Sequence, residues 1–185
     1  MIRNYLLLAF ISFFSLQACK NKNTRKEITY INIPSYLKGQ LAYLDTVPFQ
    51  LLKTVERDSA HIDSFYLKNQ DIRNIVTPFL APELEQGLFE KTYEETSFAD
   101  ASLNLITVTY NAVNKKVPVQ RIDIYVNPED NNIKQVYLVR QDNQPDSSLT
   151  QQLFWSNNKG CSLITVISKK DQPEKTENIK IKWND

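Results

Sequence analysis

From about Thr92 to the end of the chain, apolar and β-branched runs alternate with short polar segments at near-regular intervals. The runs are Thr92–Phe98, Leu103–Ala112, Val119–Val126, Ile133–Gln141, Leu149–Trp155, Cys161–Ser168 and Thr176–Trp183. The segments between them, such as Asn127-Pro128-Glu129-Asp130-Asn131-Asn132 and Ser156-Asn157-Asn158-Lys159-Gly160, have turn chemistry and are too short for crossover helices. That pattern dictates antiparallel neighbours and a β-meander of about six to seven strands. Ile122, Ile124 and Val126 alternate with Arg121, Asp123 and Tyr125, and Ile179, Ile181 and Trp183 alternate with Lys180 and Lys182, so one face is apolar. The outward sides are not purely polar, since Tyr110, Tyr125 and Tyr137 recur among them.

A sheet with one apolar face needs a second layer. The segment before Thr92 can supply it. Pro34 and Ser35 open a predicted helix carrying Tyr36, Leu37, Leu41 and Leu44 at helical spacing, although Gly39 interrupts it. A second predicted helix has Asn69 or Asp71 near its cap and Ile72, Ile75, Val76 and Phe79 on one side, ended by Pro78 and Pro82. A helical turn over Glu83–Gln86 is expected before Gly87. Pro48–Arg57 reads as strand or helix, with strand preferred, then a turn at Asp58-Ser59-Ala60 and a strand through Phe65, Tyr66 and Leu67. The expected class is α+β, an antiparallel meander in the C-terminal two thirds curled against a few N-terminal helices.

The first residues carry a different message. Arg3 is the only charged side chain before Lys20, and Tyr5–Leu16 is an apolar run broken only by Ser12 and Ser15. Twelve residues make roughly 18 Å of helix, short of the ~30 Å hydrocarbon core of a bilayer, so the stretch reads as a cleavable secretory leader. Its end, Leu16-Gln17-Ala18-Cys19, resembles the lipobox of bacterial lipoproteins, with Gln17 where that family more usually has a small residue. The resemblance implies diacylglyceryl attachment to the Cys19 thiol, cleavage before it, and acylation of the new amino terminus. It also implies lipid anchoring in a Gram-negative cell envelope, and Lys20 in place of a retention aspartate favours the outer membrane. The expected organisation is a signal peptide over residues 1–18, an anchored tether over 19–30 and a single α+β domain over 31–185. An ordinary leader would instead leave Cys19 as a free thiol or as the disulfide partner of Cys161, the only other cysteine.

Charge follows the same division. Of 22 Lys and Arg, five (Arg3, Lys20, Lys22, Arg25 and Lys26) precede Glu27, whereas all 21 Asp and Glu lie from Glu27 onward. The tether is basic, suited either to anionic headgroups or to plain solvation. The body is mildly acidic, without the basic excess that nucleic-acid binding needs.

Catalytic motifs are scarce. Gly39, Gly87 and Gly160 are the only glycines, which excludes the glycine-rich dinucleotide and phosphate loops and the G-x-S-x-G elbow. His61 is the only histidine, too few for a histidine-based zinc site, and with two cysteines no four-thiolate site exists either. His61, Asp63 and Ser64 are too close in sequence to converge as a triad, and a His61–Cys161 dyad would need distant segments to meet. Glu83, Glu85, Glu90, Glu94, Glu95 and Asp100 read first as a solvated acidic face, and second as a source of paired carboxylates for glycoside chemistry. The Asn127–Asn132 loop offers oxygen ligands but lacks the calcium-loop pattern. No cofactor and no metal site are expected.

Aromatic side chains remain. Tyr125, Tyr137, Trp155 and Trp183 either pack as core and cross-strand pairs or line a concave face that holds an apolar ligand. The expected function is a non-enzymatic, membrane-anchored envelope lipoprotein that binds another envelope protein or has a structural role. Its rival is an anchored carrier or sensor of a lipid-like ligand.

Overall fold

A computed structural model of the chain describes residues 31–48, 50–57 and 61–183. The alternating runs form the meander: β3 (Tyr93–Asp100), β4 (Leu105–Ala112), β5 (Val119–Val126), β6 (Ile133–Gln144), β7 (Ser147–Ser156), β8 (Gly160–Lys169) and β9 (Lys175–Lys182) pair in sequence, all antiparallel. A hairpin of β1 (Leu51–Arg57) and β2 (His61–Leu67) joins through β1 to β9. The sheet therefore has nine strands, in the order β2-β1-β9-β8-β7-β6-β5-β4-β3, rather than six to seven. Physically, Leu51 and Val55 of β1 extend the apolar surface that β9 would otherwise end with Ile179 and Ile181 at a wet edge.

Register aligns the apolar positions into rows across the sheet. Val55, Ile179, Leu163, Leu153, Leu138, Ile122 and Tyr110 face one another in turn, and all are buried. The next row runs Ile181, Cys161, Trp155, Val136, Ile124 and Val108, also buried. Tyr110 thus lies on the covered face, not among the outward residues where simple alternation put it. A one-residue slip in any strand would turn its apolar set into water, so the burial itself holds the register.

The helical layer comes from the N-terminal part of the unit Asn32–Asp185. Helix α1 (Ile33–Thr46) begins where the Asn32 side chain accepts the Ser35 N–H at 2.9 Å and Pro34 occupies the first turn, and it buries Ile33, Leu37, Leu41 and Leu44. Gly39 sits on its exposed side and does not end it. Helix α2 (Asn69–Val76) buries Ile72 and Val76, and the Asp71 carboxylate accepts the Lys68 N–H at 3.2 Å. It is tied to the end of α1 by Asn69 Nδ2, which donates to the Leu44 carbonyl at 2.7 Å, and by an Arg73–Asp45 ion pair. Single 3₁₀ turns follow at Thr77–Phe79 and Pro82–Leu84.

Helix α3 (Gln86–Thr92) occupies a stretch that Gly87 marks as a boundary in the sequence. A glycine in a helix costs about 1 kcal/mol, whereas burying a phenylalanine contributes about 1.5–3 kcal/mol. Phe89 is buried with its ring 4.8 Å from both Tyr93 and Tyr110, so packing overrides propensity.

Turns in this glycine-poor chain use other residues. Asn104, Asn131, Asn158 and Asp171 adopt the left-handed conformation, with φ between 49° and 58°, and no glycine does. Gly160 is required for a different reason: a Cβ there would lie 2.5 Å from the Ile181 carbonyl oxygen. No helix among the described residues is long and apolar enough to cross a membrane.

Gly160→Ala is expected to lower the free energy of unfolding by about 1–3 kcal/mol through forced overpacking. Gly39→Ala, which meets no atom within 4 Å, is expected to raise it by about 0.5–1 kcal/mol. Urea titration of both variants checks this; a Gly160→Ala protein as stable as the parent would refute the close-approach account.

Candidate functional site

The four aromatics singled out in the sequence do not share a face. Trp155 (0% exposed) and Trp183 (2%) lie on the covered side, with ring centroids 5.2 Å apart. The Trp155 indole N–H donates to Gln40 Oε1 of α1 at 3.3 Å. This pair is buried, with Trp155 held between the sheet and α1. Tyr125 and Tyr137 are on the opposite face, half-buried.

On that outward face the two tyrosines flank Asp123, a carboxylate only 3% exposed. Register places Thr109, Asp123, Tyr137 and Phe154 side by side on β4 to β7. Asp123 accepts the Thr109 hydroxyl at 2.7 Å and the Arg121 Nε–H at 2.9 Å. A buried charge is tolerated there because both carboxylate oxygens receive Arg121 and one also receives Thr109. Burial first, and the Asp123 charge second, raise the Tyr125 hydroxyl above its usual pKa. Tyr137 is likewise raised, chiefly by burial, with Arg121 opposing and Asp123 adding to the shift.

The other candidates separate. His61 begins the outer strand β2, while Cys161 is buried on β8, three strand spacings or about 14 Å away at the least. Burial pushes the Cys161 thiol up to about 12, which suits a small buried hydrophobe and not a nucleophile. In β2, Asp63 shares a side with His61 and Ser64 points the other way. Glu83 accepts the Val119 N–H at 3.2 Å, Glu85 pairs with Lys38 at 3.8 Å, and Asp100 closes its own turn by accepting from Ser102 at 2.6 Å. Those hydrogen bonds from Ser102 and Leu103 hold the Asp100 carboxyl below its usual range. The Asn127–Asn132 loop is a hairpin turn in which Asn127 donates to the Asn132 carbonyl at 2.9 Å and Asp130 accepts from Asn132. Among the described residues no group of three or more His, Cys, Asp or Glu is placed to hold a metal ion.

Among the described residues, surface depressions at the sheet include the following two. One, of about 430 Å³, lies on the outward face around Gly160, lined by Phe154, Ser162, Lys159, Lys180 and Lys182. The other, of about 350 Å³, lies beside Arg57, Thr165, Ile167, Lys175 and Glu177. Lys180 and Arg57 already have carboxylate partners, Glu56 at 4.0 Å and Glu177 at 2.7 Å.

The strand expected through Phe65, Tyr66 and Leu67 is present as β2; what the sequence does not reveal is its place at the edge of the sheet with apolar side chains in water. It is an edge strand, and its side chains are exposed on both faces: Ile62 67%, Phe65 45% and Tyr66 68%. The available signal was an apolar residue on each side of a short strand, with Ile62 and Tyr66 on one and Phe65 on the other. The lipobox Leu16-Gln17-Ala18-Cys19 and the turn Asp58-Ser59-Ala60 lie outside the described residues. No protein-family model, curated protein or solved structure matches this chain.

Replacing Asp123 by Asn removes a charge that raises Tyr125 and Tyr137, so both are expected to ionise at lower pH, read from tyrosinate absorbance. In the parent these two, and Tyr36, which burial pushes up to about 12, keep protons that the unfolded chain releases from about pH 10. Their contribution to stability is complete below that pH and is lost as pH rises through the folded values. Unchanged tyrosine titration in the Asp123→Asn protein would refute the coupling.

Proposed function

We propose that this chain is a non-enzymatic envelope lipoprotein, anchored through lipid on Cys19, whose folded body binds protein. The observation that carries the binding reading is the combination of buried tryptophans with an apolar edge strand. Trp155 and Trp183 fill the covered face, so the side chains best suited to an enclosed apolar ligand are used in packing. Ile62, Phe65 and Tyr66 are exposed on a strand whose outer edge pairs with no other strand among the described residues. A strand edge adds directional backbone hydrogen bonds to a partner strand, and alternate side chains on its two faces give that pairing specificity.

The anchoring reading rests on the leader and on Leu16-Gln17-Ala18-Cys19. Two or more acyl chains at about 0.8 kcal/mol per buried CH₂ give lasting attachment without a spanning helix. The sheet order leaves the seven-residue β2 available at its margin. On this reading the basic tether lies nearest the membrane and the mildly acidic body is held at high local concentration for a partner.

Two experiments test this. Cys19→Ser is expected to shift the protein from the membrane to the soluble fraction and to abolish acyl mass on the mature chain; persistence of either property would overturn the anchor. A photo-crosslinking residue at Tyr66 is expected to yield a discrete protein adduct in the envelope, and the same residue at the exposed Asp130 turn none. Lipid adducts alone, with stoichiometric lipid retained in native mass spectrometry, would replace the binding reading by the carrier.

A further inference from the structure

We propose that β2 is a self-association edge: two copies of this chain pair β2 against β2, antiparallel about a two-fold axis at Ser64, joining two nine-stranded sheets into one. This rests on the protein-binding reading and names the partner. Among the described residues the sheet has two edges, β2 and β3. They are built differently. β3 carries exposed Glu94 and Glu95, with Asp100 at its end, and charge on an edge discourages pairing. The seven residues of β2 include no Lys, Arg or Pro, and the only acid, Asp63, already has a counter-ion in Arg57 at 3.7 Å.

The strand is also complementary to itself in one register. Ser64 is the middle residue of His61–Leu67, so pairing about it uses the whole strand. Ile62 then lies opposite Tyr66 of the second copy, and Tyr66 opposite Ile62, two β-branched–aromatic pairs on one face. On that same face Ser64 meets Ser64, continuing a hydroxyl row that starts at Thr54, whose Oγ1 lies 3.3 Å from Ser64 Oγ. On the other face Asp63 lies opposite Phe65 of the second copy. The Lys53 ammonium sits 5.3 Å from the Phe65 ring centroid, so in the pair each Lys53 is brought towards the carboxylate of the opposing Asp63.

Neighbouring registers lose these matches. Centring on Asp63 sets two carboxylates directly opposite each other, and centring on Phe65 sets Asp63 against Leu67. Pairing β2 with β3 of another copy would be head-to-tail, leaving edges open for further addition, whereas β2 with β2 closes after two copies. Anchors in one leaflet would hold the copies at the concentration that such an edge contact needs.

The test is disulfide trapping in the full chain, in its membrane. Residues directly opposite across an antiparallel pair have Cα atoms about 4.5–5.5 Å apart, within disulfide reach. Under mild oxidation Ser64→Cys is expected to form a covalent dimer on the order of tenfold faster than Tyr66→Cys, whose symmetry mate lies about 13 Å away along the strand. Co-expressed Ile62→Cys and Tyr66→Cys chains are expected to cross-link to each other. The parent supplies the background, since Cys161 is buried. In a second measurement, Tyr66→Lys is expected to convert the sedimenting dimer of the detergent-solubilised chain to monomer. Equal trapping rates at positions 64 and 66, or a parent that sediments as monomer at all concentrations, would overturn the pairing. If the Tyr66 photo-adduct is then a different protein, the protein-binding reading stands without self-association; if no protein adduct forms either, both fall.

Discussion

The fold depends on removing one face of a wide sheet from water. Two cross-strand rows, one from Val55 to Tyr110 and the next from Ile181 to Val108, consist of mostly large, apolar side chains that a single layer leaves wet. Helix α1 answers this demand with Ile33, Leu37, Leu41 and Leu44. Trp155 shows how tight the fit is, since its indole N–H must find Gln40 on the covering helix to avoid the cost of a buried orphan donor. The remaining helical pieces, α2, α3 and the two 3₁₀ turns, add Ile72, Val76, Phe79, Leu84 and Phe89 to the buried set.

That demand shapes what is left for function. Once Trp155 and Trp183 are used inside, the parts of the sheet open to other molecules are its outward face, with Asp123 held under Arg121 beside Tyr125 and Tyr137, and, among the described residues, its two edges. On the outward face the buried Asp123 carboxylate is met locally by Arg121 and Thr109. Of the edges, β3 is protected by its carboxylates, and β2 is exposed on both sides with its backbone free along one margin. The difference between them is chemical, not topological, and it directs the functional reading to β2.

Much of the architecture was legible. Val119–Val126 was bounded as the structure has it, and the other six meander strands lie within a few residues of their sequence limits, because period-two patterning and turn residues such as Asn131 and Asn158 act locally. Helices α1 and α2 were legible for the same reason, through their caps and apolar spacing. Helix α3 was not, because Gly87 argues against it locally and only Tyr93 and Tyr110, brought next to Phe89, argue for it. The aromatic set Tyr125, Tyr137, Trp155 and Trp183 was identified as a resource without its division: Tyr137 and Trp155 lie on adjacent strands, yet register puts Trp155 opposite Val136 and Tyr137 opposite Phe154, on the other face.

What the sequence by itself determined are the features set by neighbours along the chain: the antiparallel meander, the amphipathic helices before it, and the absence of glycine-rich ligand loops. Tertiary structure alone decided that β1 and β2 extend the meander beyond β9, that Trp155 is sealed under Gln40, that Asp123 is buried on the outward side, and that Ile62, Phe65 and Tyr66 stay in water. The reason is physical. Periodicity specifies which side chains share a face of their own strand, but which faces are covered, and which strand is last in the sheet, depends on contacts between residues distant in sequence.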